Sequence, residues 1–177
     1  LPDPLLCADG TRVTTKEQWE QKRRPETLEL FRTHVFGRSP GPGKVTFDVL
    51  ETDVKAAEGK ATRKRVRITS TDGDKHFSFE ASLLTPGGAK GRVPAFILIN
   101  NRPVASADPT RAEKNGFWPV EEILARGYAT AVFRTGDVDP DKDGPAERAK
   151  GVRAVFSAGT EGEDAWATIA AWAWGAS

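Results

Sequence analysis

The chain has 177 residues, a mass of 19.2 kDa, a formal net charge of +1 and 29% charged residues. So weak a field gives no footing for nucleic acid or an anionic membrane surface. An apolar content of 38% is enough for a core and argues against disorder, and no apolar run reaches the ~18 residues of a transmembrane helix.

The single Cys7 excludes an internal disulfide and any multi-cysteine zinc site. With no activating neighbour in sequence it reads as an inert or surface thiol. The chain has no Met and opens without the charged and apolar regions of a signal peptide, so Leu1 is not expected to be a translation start. Its other end, Trp172 to Ser177, stops inside an apolar helical pattern. Both ends are expected to be cut from a longer protein.

In chain order, Thr15-Lys-Glu-Gln18 fits a capping box. A helix is predicted from there, interrupted near Pro25 and resumed from Glu26 to about Phe36, with Leu28, Phe31 and Val35 on one face. Gly37 is its stop, and Ser39 to Gly43 is a loop. Val45, Phe47 and Val49 alternate with polar residues, as on a half-buried strand. Lys64 to Ser70 is a second strand. Asp72-Gly73-Asp74 signals a turn, and Phe77, Phe79, Ala81 and Leu83 alternate on a third strand. An antiparallel meander from Val45 to Leu84 results, with Arg63, Arg65 and Arg67 on one solvated side.

After the loop Pro86 to Gly91 comes the stretch on which the reading turns, Pro94-Ala-Phe-Ile-Leu-Ile-Asn-Asn-Arg-Pro103. Five apolar residues between prolines are too few for an ordinary helix. They read as a strand buried on both faces, as inside a parallel sheet. Its carboxyl end turns abruptly polar at Asn100, Asn101, Arg102 and Pro103. Ligands of open α/β sheets lie beyond the carboxyl ends of the strands. An irregular segment to Trp118 follows. Pro119 is then expected at the first position of a helix over Val120 to Arg126, ended by Gly127. Tyr128 to Phe133 is a second buried strand, so strand, helix and strand form a parallel crossover. A long polar loop runs to about Gly162, and Glu163 to Ser177 is a helix, apolar nearly all round, that must be buried.

Asp139-Pro-Asp-Lys-Asp-Gly144 matches the first half of a calcium loop, but Lys150 stands where the bidentate Glu belongs, so the stretch reads as a solvated acidic loop. His34 and His76 have no ligand partners at metal-binding spacing, and no metal site is expected. Asp137, just beyond the second buried strand, is suited to function or to ordering its loop. Arg102 and Arg134 each follow a buried strand; pairing with nearby Asp residues is the first reading and anion binding the second. A serine hydrolase needs Gly-x-Ser-x-Gly on a tight turn between a strand and a helix; Gly37-Arg-Ser-Pro-Gly41 has the letters but follows a predicted helix, so no such turn is expected here.

A set of motifs goes further. Arg12-Val-Thr-Thr-Lys-Glu-Gln-Trp19, Leu30-Phe-Arg-Thr-His-Val-Phe-Gly-Arg-Ser39, Ile99-Asn-Asn-Arg-Pro103, Trp118-Pro-Val-Glu-Glu-Ile-Leu-Ala-Arg-Gly-Tyr-Ala129, Gly136-Asp-Val-Asp-Pro-Asp141 and Ala170-Ala-Trp-Ala-Trp-Gly-Ala-Ser177 resemble, in order, the amino-terminal half of bacterial glucuronoyl esterases, carbohydrate esterase family 15. The resemblance implies the amino-terminal part of a three-layer α/β/α hydrolase. It implies cleavage of the ester between xylan glucuronic acid and lignin alcohols, outside the cytoplasm (secreted or periplasmic), with no cofactor or metal. In the family the nucleophilic Ser, the His and the acid lie in the later part, so no catalytic residue maps onto this chain. The carboxy-terminal remainder of the same protein becomes an expected partner, packed against the free strand edges. Asn100, Asn101, Arg102, Pro103 and Asp137 are the cleft-flanking candidates. The competing reading is a non-catalytic carbohydrate-binding or interaction fragment, or another α/β-hydrolase esterase.

Overall fold

The computed structural model describes residues 2–142, 150–156, 162 and 164–177. The capping box forms as expected: Gln18 N–H donates to Thr15 Oγ1 (3.2 Å), and the Gln18 side chain accepts from the Thr15 N–H (3.3 Å). The helix it opens, α1 (residues 16–36), is not broken at Pro25. A π-helical segment, Trp19–Arg23, directly precedes the α-helical Arg24–Phe31, and a second one, Arg32–Phe36, follows. The wider π turn shifts the hydrogen-bond register just where proline lacks an N–H and its ring would strike the preceding turn. Leu28, Phe31 and Val35 lie exposed. Gly37 stops the helix at φ 73°. There the backbone of Ala165 and Trp166 passes so close that a Cβ on Gly37 would overlap it. Ala167 N–H donates to Phe36 O and Arg38 N–H to Asp164 O, each at 2.8 Å.

Five strands form a single sheet among the described residues: β1 (Lys44–Ala56), β2 (Ala61–Asp72), β3 (Lys75–Pro86), β4 (Ala95–Asn100) and β5 (Ala129–Arg134), in the order β1-β2-β3-β5-β4. The first three make the predicted antiparallel meander, with Gly73 at φ 59° in the turn that brings Asp72 opposite Lys75. β5 pairs antiparallel with β3 and parallel with β4. The parallel crossover passes through a 3-10 turn at Val104–Ala107 and the helix α2 (Val120–Ala125). Pro119 stands at the cap of α2 rather than at its first position.

Alternation along β3 and β5 sends neighbouring side chains to opposite faces, and each face receives its own core. Leu84 and Val132 pack with Trp118, Val120 and Leu124 on the α2 side. Phe79 and Phe133 pack on the other side with Val138, Val152, Trp166, Ala171 and Trp174. These come from α3 (Thr135–Val138), α4 (Val152–Phe156) and α5 (Thr168–Ala176), with Trp166 just ahead of α5. The result is the three-layer α/β/α arrangement. Each large side chain fully buried there contributes about 1.5–3 kcal/mol.

Several expectations are corrected. β4 is an edge strand, not one buried on both faces: Phe96 and Ile97 are 56% and 53% exposed, while Leu98 is partly buried against the core. β1 is not half-buried, since Phe47 is 66% exposed and no described element lies over it. Arg63, Arg65 and Arg67 are not simply solvated; they interleave with Glu51 and Glu80 in a cross-strand ion-pair ladder, and Arg63 is buried. The predicted loop beyond Arg134 contains α3 and α4. The last helix begins at Thr168, so Asp164 lies ahead of it and pairs with Arg38 (2.8 Å), while Glu163 lies outside the described residues. That helix is buried along Ala171 and Trp174 but leaves Ile169 exposed.

Gly37→Ala is expected to destabilise the protein by about 2 kcal/mol or more, because L-residues resist positive φ and the added methyl meets backbone. The check is a urea titration, in which the midpoint should fall with an unchanged slope.

Candidate functional site

β4 and β5 run parallel in a register that starts at Ala95 opposite Ala129 and ends with Asn100 opposite Arg134. Both strands therefore stop being apolar at the same level, and their polar successors share one crevice. Asn100 is buried. Its Oδ1 accepts the Arg102 N–H (2.9 Å), and its carbonyl accepts the Thr135 hydroxyl (3.3 Å), so the turn leaving β4 is tied to the turn leaving β5. The cleft between them, about 510 Å³, is lined by Asn100, Asn101, Arg102 and Pro103 on one side. Arg134, Thr135, Gly136, Pro140, Asp141, Lys142 and Lys150 line the other. The structure thus brings the four candidates after β4 together. Asp137 instead faces a smaller adjoining cavity of about 180 Å³, which also touches Asn100, Arg134, Arg65 and Glu80. Its carboxylate lies 3.8 Å from the Arg134 guanidinium, the local pairing read from the sequence. A larger groove of about 800 Å³ lies between the segment after α1 and α5; no Asp or Glu is among its described lining residues, and it shares none of them with the cleft.

Two polar knots lie behind the cleft, one ahead of α2 and one beside Pro140 and Asp141, and sequence reasoning missed both. Arg111, at φ 63° and with its side chain 3% exposed, donates from Nε (3.0 Å) and Nη2 (2.8 Å) to the Glu121 carboxylate. Its guanidinium also faces the buried Trp118 ring at 5.8 Å, and Trp118 Nε1 donates to Thr130 Oγ1, the second residue of β5 (2.9 Å). The next residue back, Phe117, carries the Arg102 guanidinium 4.3 Å from its ring centre. The second knot is Asp139, fully buried, which accepts from Arg153 Nε (2.8 Å) and Nη2 (2.7 Å). The Asp139 carbonyl accepts Trp172 Nε1 (2.8 Å), and Arg153 also donates to Thr168 Oγ1 (2.7 Å). No sequence spacing links these partners, which lie on different elements.

Asp139 is the first position of the half-matched calcium loop, and its inward pairing with Arg153 takes it away from any cation outside. Asp143 and Gly144 lie outside the described residues. Among the described residues no cluster of His, Cys, Asp or Glu is fit to hold a metal ion, and His34 is exposed. Likewise no described helix is long and apolar enough to cross a membrane. Cys7 is buried.

A mixed sheet covered by helices on both faces, with its parallel strands ending in a polar crevice, defines the chain as an α/β-hydrolase fold. The comparisons name the branch. Over 211 aligned positions the chain is 31% identical to the carbohydrate esterase MZ0003 of an unknown prokaryotic organism, an alignment covering 100% of this chain and 47% of that protein. It is 35% identical to the 4-O-methyl-glucuronoyl methylesterase of Thermothelomyces thermophilus, over 56% of this chain and 22% of that one. Among solved structures, the glucuronoyl esterase from Solibacter usitatus superposes with a TM-score of 0.84 at 30% identity, covering 99% of this chain and 51% of that one. A serine-to-alanine mutant of the Sporotrichum thermophile glucuronoyl esterase, in complex with methyl 4-O-methyl-β-D-glucopyranuronate, superposes with a TM-score of 0.63 at 29% identity, over 99% of this chain and 38% of that one. No family model matches the chain. Along its whole length the chain is thus a relative of the glucuronoyl esterases, and it spans about half the length of the prokaryotic esterase and of the Solibacter structure.

Two predictions follow from the knots. Arg111→Ala should cost about 2–3 kcal/mol, since it removes a buried bidentate charge pair and its packing. The hydrogen bonds from Arg111 hold the Glu121 carboxyl below its ordinary value of 4.5, against a partial desolvation. A depressed carboxyl stabilises the fold above that ordinary value and loses its contribution as pH falls through the lowered one. Glu121→Gln should therefore flatten the acid limb of a stability–pH profile measured by denaturant unfolding. For the half-matched calcium loop, thermal midpoints in excess calcium and in chelator should coincide; a rise that saturates with calcium would mean binding to the native state and refute this reading.

Proposed function

We propose that this chain is the amino-terminal part of a serine carboxylester hydrolase of the glucuronoyl esterase kind, cleaving the ester between xylan glucuronic acid and lignin alcohols. The observation that carries the reading is β4. Its apolar side chains stand exposed at a sheet edge, while its polar end lines the cleft in a chain that is similar from end to end to glucuronoyl esterases twice its length. In this reading the carboxy-terminal remainder of the same protein completes the domain on that edge. It supplies the nucleophilic Ser, the His and the acid of an acyl-transfer triad.

The residues present here then have a supporting chemistry. Asn100, Asn101, Arg102 and Pro103 border the ester-binding crevice, with a backbone N–H of this loop turned toward the developing oxyanion. Asp137 holds Arg134 at the rim. The substrate is a cell-wall polymer, so the enzyme acts after secretion or in the periplasm. The chain alone is inactive, and neither cofactor nor metal takes part.

The test has two arms. An intact-mass measurement of the native protein should find either a polypeptide well above 19.2 kDa or a second chain that carries a Gly-x-Ser-Arg-x-Gly turn. Assayed alone on a methyl glucuronate ester, the 177-residue chain should release no acid. Serine-dependent hydrolysis by the isolated chain would sink the proposal, as would a completed protein that leaves glucuronate esters intact.

A further inference from the structure

The segment between Arg111 and α2 carries Asn115-Gly116-Phe117, and its geometry favours a reaction that ester chemistry does not use. Asn115 and Gly116 are exposed. Asn115 Oδ1 accepts the Phe117 N–H (2.9 Å), and the Asn115 carbonyl accepts the Trp118 N–H (3.2 Å), which closes a tight turn. Among the described residues nothing accepts the Gly116 N–H, and beyond its chain neighbours no heavy atom lies within 4 Å of where a Cβ on Gly116 would stand. A free, unshielded backbone nitrogen thus stands next in the chain to a side-chain amide whose oxygen is already polarised. The two other asparagines each lack one of these conditions. Asn100 makes the same Oδ1 contact, to the Arg102 N–H, but is 2% exposed and is followed by Asn101. At Asn101 the nitrogen that would react is that of Arg102, which is committed to Asn100 Oδ1.

We propose that Asn115 is a modification site, at which the folded chain reacts with water and turns this carboxamide into a carboxylate. The Gly116 nitrogen gives its proton to hydroxide and attacks Asn115 Cγ. The electron pair displaced onto Oδ1 meets the Phe117 N–H, which is already in place to stabilise it. The tetrahedral carbon then expels Nδ2, which leaves as ammonia with a proton from water, and a five-membered cyclic imide remains. Water reopens that ring at one of its two carbonyls. Opening at the side-chain carbonyl leaves Asp; opening at the backbone carbonyl leaves the chain running through the side chain, one carbon longer. Either way an amide and water become a carboxylate and ammonium, and nothing is oxidised or reduced. The place matters because Phe117 and Trp118 follow directly. Arg102, which lines the cleft, has its guanidinium over the Phe117 ring, and the buried Trp118 is bonded to Thr130. An extra backbone carbon just ahead of them loosens both contacts. The inference does not depend on the esterase reading.

The experiment ages the native full-length protein in heavy-oxygen water, at neutral and at mildly alkaline pH, and then maps it with trypsin. The peptide from Asn115 to Arg126 has no other side-chain amide, so its mass reports this site alone. It should gain a heavy-oxygen carboxyl, separate into two species of one mass, and do so faster at the higher pH. Gly116→Ala, at a position open enough to take the methyl, should slow the loss about tenfold, the factor set by a barrier ~1.4 kcal/mol higher. The peptide that carries Asn100 and Asn101 should stay unchanged. Aged protein should unfold at lower urea than fresh protein, whereas Gly116→Ala aged alongside should hold its midpoint. An intact amide at Asn115, loss only in urea-unfolded protein, equal loss at Asn100 and Asn101, or indifference to Gly116→Ala would each overturn the proposal. An unchanged urea midpoint in protein fully converted at Asn115 would overturn the link to Arg102 and Trp118.

Discussion

The structure depends on one strand being shared between two kinds of pairing. β5 meets β3 antiparallel over the short ladder of Ser82–Val132, Leu83–Ala131 and Leu84–Thr130, and meets β4 parallel over its whole length. The antiparallel meander could satisfy its own backbone without any crossover. β4 and β5 run parallel, however, so between them the chain must cross one face of the sheet, through α2. That constraint sets Asn100 beside Arg134 and opens the crevice at that level. It also buries Thr130, a polar residue near the start of β5, where the Trp118 indole meets its hydroxyl. Both groups are buried, and unpaired each would cost about 1–3 kcal/mol.

The cleft owes its shape to polar contacts more than to apolar packing. Its walls are turns, and turns have too little apolar surface to be fixed by burial alone. Arg111 is held in left-handed backbone, which its bidentate bond to Glu121 and its place against Trp118 can offset. Next to the wall formed by Pro140 and Asp141, Asp139 gives its carboxylate to Arg153 and its carbonyl to Trp172. Movement of the last helix would thus pull directly on the segment that carries Pro140 and Asp141. The Asp139 knot joins the wall that carries Pro140 and Asp141 to the core of Val138, Val152 and Trp166, while the Arg111 knot secures the segment ahead of α2 against the other core.

What could be read in the sequence was local or periodic. The capping box at Thr15, the stop at Gly37, the meander and the polar end of β4 all leave a signature within a few residues, and all are present. The continuity of α1 through Pro25 could not be read, because a π turn has no sequence signature comparable to a proline. The knots were hidden for a different reason. Arg111 and Glu121 lie ten positions apart, an interval that no secondary structure makes adjacent, and they meet because the segment ahead of α2 folds back. Lys150 illustrates a partial reading: its charge argued against calcium, and the same charge now lines the cleft. The exposure of β4 was misjudged because composition reports what a strand would tolerate on its faces, not what covers them.

The two edges of the sheet make that last point physical. β1, at one edge, carries register shifts between Val49 and Glu51 and between Asp53 and Ala56, and is studded with Lys44, Asp48, Glu51, Asp53 and Lys55. Bulges and charges are how a solvent-facing edge avoids adding a stray strand. β4, at the other edge, is Ala-Phe-Ile-Leu-Ile-Asn, with no charge, no proline and a regular parallel register. An edge built to face water would not be left so. The contrast within one sheet is what supports putting the remainder proposed above on the β4 side rather than the β1 side. Under that proposal the apolar stretch of β4 is the part to be covered, and the cleft starts at Asn100, where that cover would end.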